Sequence, residues 1–118
     1  ADYLQRSARH ISSLTDIEQA VAVGKAAVKL AAQGKSGVMP IIKRISDSPY
    51  VWTISEGDLN EIANEEKTLP KNFISNDGFR ITKAGIEYLQ PLIEGESFPK
   101  FRNGIPIYEG IDLHLQKI

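Results

Sequence analysis

Hydrophobic residues recur at helical spacing over the first third of the chain. They form two adjacent rows on one broad face, which is typical of a buried helix. The rows contain Ile17, Ala20, Val21, Gly24, Ala27, Val28 and Ala31, and beside them Val23, Ala26 and Leu30. Thr15 and Glu18 have the spacing of a capping box, and Gly34 is typical of a helix end. The pattern therefore predicts a long, largely buried helix that starts at Thr15 and packs closely against a sheet.

Two runs rich in β-formers follow this helix. Residues 38–42 and 50–54 are separated by the polar residues 46–49, which predicts a β-hairpin with a short loop. Pro40 has no amide hydrogen, which places the first strand at a sheet edge or delays its start. Trp52 is expected in the core. Because two strands make a thin sheet for such a helix, we expect more sheet from sequence outside this chain, which makes it a fragment.

Short elements are predicted for the second half. Asp58 and Glu61 mark a helix start, and Pro70 ends that helix after about Lys67. The Asn-Asp-Gly sequence at 76–78 predicts a turn.

A further helix is predicted after Thr82, which is typical of an N-cap. Tyr88 falls on its apolar side and is expected in the core, and Pro91 ends or kinks the helix. Beyond Glu96 the chain is irregular, while apolar residues at 111, 113 and 115 predict a strand or a docking segment. The whole order predicts a mixed α/β fold class.

Composition and charge narrow the function class. The 118 residues are 42% hydrophobic and 25% charged, as in one soluble domain. A net charge of −1 provides no basic surface, so nucleic acid is not an expected partner. The absence of cysteine excludes a disulfide scaffold and fits the cytoplasm, where we expect the protein. The small-residue run 20–32 is too short and polar for a bilayer, so no membrane contact is expected.

The common catalytic motifs are weak in this sequence. Residues 34–36, Gly-Lys-Ser, end like a phosphate-binding P-loop, but Lys29 stands where the first glycine belongs, and a helix precedes them. His10 and His114 are the only histidines and lack metal-site spacing. The paired carboxylates at 58/61 and 65/66 are typical of solvated helix ends.

The first ten residues carry four polar donors: Tyr3, Arg6, Arg9 and His10. Arginine presents a planar fork of N–H groups that suits phosphate oxygens, and tyrosine adds one neutral donor. From residue types alone, this stretch is either a solvated basic end or part of a site for an anion.

Several short stretches occur in a distinctive order. The first are Tyr-Leu-Gln-Arg-Ser-Ala at residues 3–8, Thr-Asp-Ile-Glu-Gln-Ala at 15–20 and Val-Gly-Lys-Ala-Ala at 23–27. Later ones lie at 38–40, 63–67, 72–74, 77–79 and 88–93. In their order and spacing they resemble the 6-phosphofructokinase family, and more closely its pyrophosphate-dependent branch. The resemblance runs from residue 2 to about residue 107.

The resemblance implies a role for the opening stretch. In ATP-dependent family members it reads Gly-His-Ile-Gln-Arg-Gly-Gly, and its histidine and arginine contact the 6-phosphate of fructose 6-phosphate. Tyr3 takes the histidine place, as in pyrophosphate-type members, and Arg6 the arginine place. Ser7 and Ala8 replace the two glycines, which argues against backbone contacts that need glycine conformations. The implied substrate-binding residues are Tyr3, Leu4, Gln5 and Arg6.

The resemblance also implies a fold and an activity. The family has two α/β lobes with the site between them, and residues 1–118 are then the C-terminal segment of the sugar-phosphate lobe. The whole enzyme transfers a phosphoryl group from pyrophosphate to fructose 6-phosphate, giving fructose 1,6-bisphosphate in glycolysis or gluconeogenesis, as a homo-oligomer (dimer or tetramer). Its Gly-Gly-Asp loop, which holds the donor and Mg²⁺, and its Thr-x-Asp base do not occur here. The chain alone is therefore expected to be inactive.

Three alternatives stay open. In the first, the intact enzyme is an ATP-dependent kinase of the same family. It stays open because the residues that select the donor lie beside the Gly-Gly-Asp loop, which this sequence does not contain. Alternatively, the chain is a non-catalytic module that binds sugar phosphates or supports assembly. The third is a helix-presenting interaction domain, for which only the apolar tail argues.

Overall fold

A long helix and a β-hairpin are the largest elements of residues 12–107, the part of the chain that the computed structural model describes. The elements, in chain order, are helix α1 (Leu14–Ala32), strands β1 (Val38–Asp47) and β2 (Tyr50–Asp58), helix α2 (Leu59–Ile62), a 3₁₀ turn (Lys71–Phe73), helix α3 (Lys83–Leu89), a second 3₁₀ turn (Gln90–Ile93), and strands β3 (Phe101–Arg102) and β4 (Ile105–Pro106). β1 pairs with β2 and β3 with β4, both antiparallel. This order confirms the predicted α/β class.

Helix α1 begins earlier than its sequence predicts. Ser13 is the N-cap, since its hydroxyl accepts from the amide of Asp16 at 3.1 Å and donates to the carbonyl of Leu92 at 2.7 Å. Thr15 lies in the first turn, and its hydroxyl donates to the carbonyl of Glu94 at 3.3 Å. The predicted capping box at Thr15 was wrong because a contact distant in sequence decides which hydroxyl caps the helix.

The end of α1 agrees with prediction. Gly34 has a φ of 71°, in the left-handed region that glycine adopts without strain. Its amide donates to the carbonyl of Ala31 at 2.9 Å, and the amide of Lys35 donates to that of Leu30 at 3.1 Å. These two bonds form a Schellman motif, which turns the chain out of the helix and towards β1.

The predicted hairpin is confirmed, with longer strands and a tighter loop. Pairing runs from Val38 opposite Asp58 to Asp47 opposite Tyr50, so the loop is reduced to residues 48–49. The register shifts between Arg44 and Ser46, which leaves Ile45 as a bulge. Among the described residues β1 has only β2 as a neighbour, so Pro40 lies in an edge strand, as predicted.

The hairpin covers only part of helix α1. In the row that faces it, Leu30 is 9% exposed and Val23 and Ala26 are half-buried. The other predicted row points outwards, and Val28 is 70% exposed. The prediction of a largely buried helix is therefore wrong for this chain, because two strands are too narrow to cover so broad an apolar face. Trp52, predicted for the core, is half-buried.

Helix α2 starts as predicted but is much shorter. The side chain of Asp58 accepts from the amide of Asn60 at 2.8 Å, which caps the helix. The predicted end near Lys67 is wrong: Ala63 is already extended, with ψ at 131°, and Asn64 has a φ of 65°. Asparagine tolerates this left-handed conformation, which ends the helix before any proline is reached.

The predicted turn at residues 76–78 is confirmed, with Gly78 at a φ of 77°. The hydroxyl of Ser75 donates to the carboxylate of Asp77, and the backbone amide of Phe79 donates to the same carboxylate at 3.1 Å. These hydrogen bonds, with that of Ser75 the stronger cause, lower the pKa of Asp77 below its ordinary value.

Thr82 caps helix α3, as predicted. Its hydroxyl donates to the carbonyl of Asn72 at 2.6 Å and accepts from the amide of Gly85 at 3.3 Å. Losing such a cap costs about 1 kcal/mol, so in Thr82→Ala we expect the amide of Ile86 to exchange with solvent about five times faster. Hydrogen exchange followed by NMR checks this, with Thr82→Ser as the control that keeps the hydroxyl. Equal exchange in both variants would contradict the role of the cap.

Candidate functional site

The residues predicted to bind the sugar phosphate lie at the start of the chain, outside the described residues. Both histidines and the apolar tail at 111–115 also lie outside the described residues. The roles predicted for all of these residues stay predictions. The four substrate-binding candidates are Tyr3, Leu4, Gln5 and Arg6.

The structure shows how the start of α1, which follows this segment in the chain, is held. The amides of Leu14 and Thr15 donate to the carbonyls of Gly95 and Glu94 at 3.0 and 3.4 Å. Gly95 has a φ of 81°, and a side-chain carbon there would lie 2.6 Å from the Cβ of Leu14. Only glycine fits this approach without a shift of the chain. The start of α1 is thus fastened to a segment distant in sequence.

A second fastening is built around Arg44, whose guanidinium lies between two tyrosine rings. Its central carbon is 4.7 Å from the ring centre of Tyr50 and 4.4 Å from that of Tyr88. One terminal nitrogen also donates to the carbonyl of Tyr88 at 2.8 Å. The ring of Tyr88 packs against Phe73, with centres 5.2 Å apart. Cation–π contacts of this kind join the hairpin to helix α3.

Gln19 connects this cluster to helix α1. It is only 7% exposed, and its side-chain nitrogen donates to the hydroxyl of Tyr50 at 2.6 Å. A buried amide needs such a partner, because leaving it unpaired would cost stability. We call Gln19, Arg44, Tyr50 and Tyr88 the arginine junction. It brings together α1, the hairpin and α3.

The charge of Arg44 is balanced by Asp47. The Nε of Arg44 is 2.6 Å from a carboxylate oxygen of Asp47, which is an ion-pair distance. This contact does not have the geometry of a hydrogen bond. Nε and one terminal nitrogen of Arg44 are therefore buried without a hydrogen-bond acceptor. Because these nitrogens are sealed from solvent and lie among side chains of separate elements, the junction is suited to orienting those elements. Tyr88, predicted for the core, is 41% exposed and contributes mainly its ring face.

Two open grooves flank these elements. The groove between α1 and β2 has a volume of about 460 Å³. It is lined by Ala26, Lys29, Leu30, Gln33, Ile54, Ser55 and Glu56. The groove beside α3 has a volume of about 400 Å³. It is lined by Lys67, Thr68, Leu69, Pro70, Phe73 and Tyr88. Lys35, from the rejected P-loop, lies 2.6 Å from the carboxylate of Glu56, so it is paired within the chain.

Residues 12–107 meet the requirements neither of a three-ligand metal site nor of a membrane-spanning helix. No three carboxylate or histidine side chains in this range stand close enough together to hold a metal ion. The carboxylates predicted to be solvated are exposed. They are Asp58, Glu61, Glu65 and Glu66. Within the same range, no helix has the length and apolar character needed to cross a membrane.

Curated proteins with related sequences match nearly all of the chain. The relative from Methylococcus capsulatus, a pyrophosphate–fructose 6-phosphate 1-phosphotransferase, is 60% identical over 108 residues, and one of the same name from Halomonas elongata is 57% identical over 106. This chain is a homologue of the pyrophosphate-dependent phosphofructokinases. The matches cover 92 and 90% of the chain but only 26 and 25% of the relatives, so it spans about a quarter of their length. No protein-family model matches the chain.

Solved structures agree on the fold. The crystal structure of the pyrophosphate-dependent phosphofructokinase from Marinobacter aquaeolei is 57% identical, with a TM-score of 0.83 over 91% of this chain and 27% of its own. The enzyme of the same kind from Nitrosospira multiformis is 56% identical, with a TM-score of 0.84 over 92% of this chain and 27% of its own. The chain therefore has part of the phosphofructokinase fold, as its sequence predicts.

Sequence reasoning missed two members of the arginine junction. Arg44 reads as an ordinary charged residue between the predicted strand at 38–42 and the polar loop at 46–49, and Gln19 lies among the polar positions of a predicted helix. Neither carries a spacing signal, because their partners come from distant parts of the chain. The aromatic residues around Arg44 were visible as apolar positions, but nothing in the pattern indicated that they face a guanidinium.

Proposed function

We propose that this chain is part of a pyrophosphate–fructose 6-phosphate 1-phosphotransferase and contributes its sugar-phosphate-binding segment. The observation that supports this most directly is the identity of 51 to 60%, over at least 90% of the chain, to curated relatives of that name. The reaction moves a phosphoryl group from pyrophosphate to the 1-hydroxyl of fructose 6-phosphate. The intact protein is a cytoplasmic homo-oligomer in this proposal.

Within that reaction, residues 3–6 bind and orient the acceptor. Arg6 offers two parallel N–H donors to the 6-phosphate, and Tyr3 adds a neutral hydroxyl donor. Holding the phosphate fixes the direction of the sugar, so that its 1-hydroxyl faces the donor. Mg²⁺, whose ligands are not expected in this chain, supplies charge neutralisation at the transferring group when bound.

The described residues support the proposal by showing how the neighbouring helix is held. The hydrogen bonds of Ser13, Leu14 and Thr15 to residues 92–95 leave the start of α1 little freedom. The chain that follows the binding segment at 3–6 therefore reaches a fixed point at Ser13. Phosphoryl transfer depends on such positioning more than on covalent chemistry by the protein.

A chimera tests this function. In it, this chain replaces the matching quarter of the Methylococcus capsulatus relative, and formation of fructose 1,6-bisphosphate from fructose 6-phosphate and pyrophosphate is followed. We expect product, because the relative supplies the donor-binding loop and this chain supplies the segment that binds the acceptor. A folded chimera that neither binds fructose 6-phosphate nor forms product would contradict the proposed function. A folded chimera that binds fructose 6-phosphate without turnover would instead support the non-catalytic module.

A further inference from the structure

We propose that Arg44 is a positioning residue for fructose 6-phosphate, acting through the first turns of helix α1. This inference rests on the proposed function, in which residues 3–6, upstream of that helix in the sequence, bind the sugar phosphate. Arg44 is far from those residues in sequence, and it is 18% exposed at its side chain, so its contacts are almost entirely with the protein. Two routes of direct contact lead from it to the start of α1.

The first route passes through the hairpin. The guanidinium of Arg44 lies on the ring of Tyr50, and the hydroxyl of Tyr50 accepts from the side chain of Gln19 in α1. Gln19 is buried, so it has no water to replace this partner. The position of the Tyr50 ring therefore sets the position of the helix side that faces it.

The second route passes through helix α3. Arg44 holds Tyr88 by its ring and by its carbonyl. A few residues further on, the carbonyl of Leu92 accepts from the hydroxyl of Ser13, and the carbonyls of residues 94 and 95 accept from the first amides of α1. Fixing Tyr88 thus fixes the segment to which the N-terminus of α1 is bonded.

Both routes need the shape of arginine. Its planar guanidinium stacks on the two ring faces while one N–H reaches a carbonyl, whereas the ammonium of lysine is a compact charge on a flexible stem. In Arg44→Lys we therefore expect the charge to remain and the stacking to be lost. The start of α1 then shifts, and misplacement on the order of 1 Å is enough to weaken binding of a substrate that must be aligned.

The experiment uses the same chimera and measures kcat and both KM values. For Arg44→Lys we expect the KM for fructose 6-phosphate to rise about tenfold while that for pyrophosphate changes less than about twofold. Tyr88→Leu, which removes a ring face, is expected to act in the same direction. One control should keep the parent values: Lys43→Ala, which changes the adjacent exposed residue of the strand.

Several outcomes would overturn the inference. An unchanged KM for fructose 6-phosphate in Arg44→Lys would mean that Arg44 has only a structural role. An equal rise in the KM values of both substrates would mean the same. If Arg44→Lys does not fold, Gln19→Met replaces it as the test, because it removes the hydrogen bond to Tyr50 and leaves Arg44 in place. A selective rise in the KM for fructose 6-phosphate then supports the inference, and an unchanged KM overturns it. A folded but inactive parent chimera would contradict the proposed function and this inference with it, whereas an active parent with unchanged variants contradicts the inference alone.

Discussion

Arg6→Ala in the chimera is expected to raise the KM for fructose 6-phosphate about 30-fold or more, because removing one partner of a charged contact typically costs about 2–5 kcal/mol. Arg6→Lys keeps the charge but loses the fork of parallel donors, so we expect an intermediate loss. Tyr3→Phe removes one hydrogen bond from a neutral donor to the charged phosphate and should cost about 10- to 100-fold. Initial rates at varied fructose 6-phosphate, with pyrophosphate saturating, check all three.

A matched control lies in the same stretch. Arg9 is also an arginine of the opening segment, but the resemblance assigns it no substrate contact, so Arg9→Ala should leave the KM near its parent value. An equal effect of Arg9→Ala and Arg6→Ala would indicate that general positive charge, rather than a defined grip by Arg6, attracts the sugar phosphate. No effect of either would place the phosphate contact elsewhere.

The isolated 118-residue chain is expected to form no fructose 1,6-bisphosphate from fructose 6-phosphate and pyrophosphate. Its sequence contains neither a Gly-Gly-Asp loop nor a Thr-x-Asp segment, so the donor is not held and no base is placed at the sugar hydroxyl. Binding the acceptor alone contributes no alignment with the donor, which is the main source of rate in phosphoryl transfer. A coupled assay for the product, with the active chimera as the positive control, checks this.

Product above background from the pure chain would contradict this expectation and the assignment of the chemistry to other parts of the protein. Calorimetry with fructose 6-phosphate adds a second measurement. Tight binding by the inactive chain would favour the sugar-phosphate-binding module over the enzyme part.

Several elements follow from short-range patterns. The end of α1 at Gly34, the hairpin, the turn at 76–78 and the cap at Thr82 each depend on residues within a few positions of one another. Local backbone preference and local hydrogen bonds decide such features, and the sequence shows both. The resemblance to phosphofructokinases was also visible in short stretches, and the 51 to 60% identities confirm it.

Features that depend on distant partners did not follow from the sequence. Ser13 and Thr15 are both good N-caps by composition, and the contacts with residues 92–95 select Ser13. The broad apolar face of α1 predicted burial on both rows, but the two-stranded hairpin covers only the row that contains Leu30. An apolar pattern indicates which residues favour burial, but the surface that packs against them comes from other parts of the structure.

By itself, the sequence determined the order of the main elements, the helix end at Gly34 and the relationship to phosphofructokinases, while the phosphate-binding role of Tyr3 and Arg6 stays a prediction. The tertiary structure alone decided where α1 starts, which of its rows is covered, and that Arg44 joins Tyr50 to Tyr88 at the meeting point of three elements. The physical reason is range: turns and caps are settled by neighbours along the chain, whereas a cation between two rings needs partners that only folding brings together.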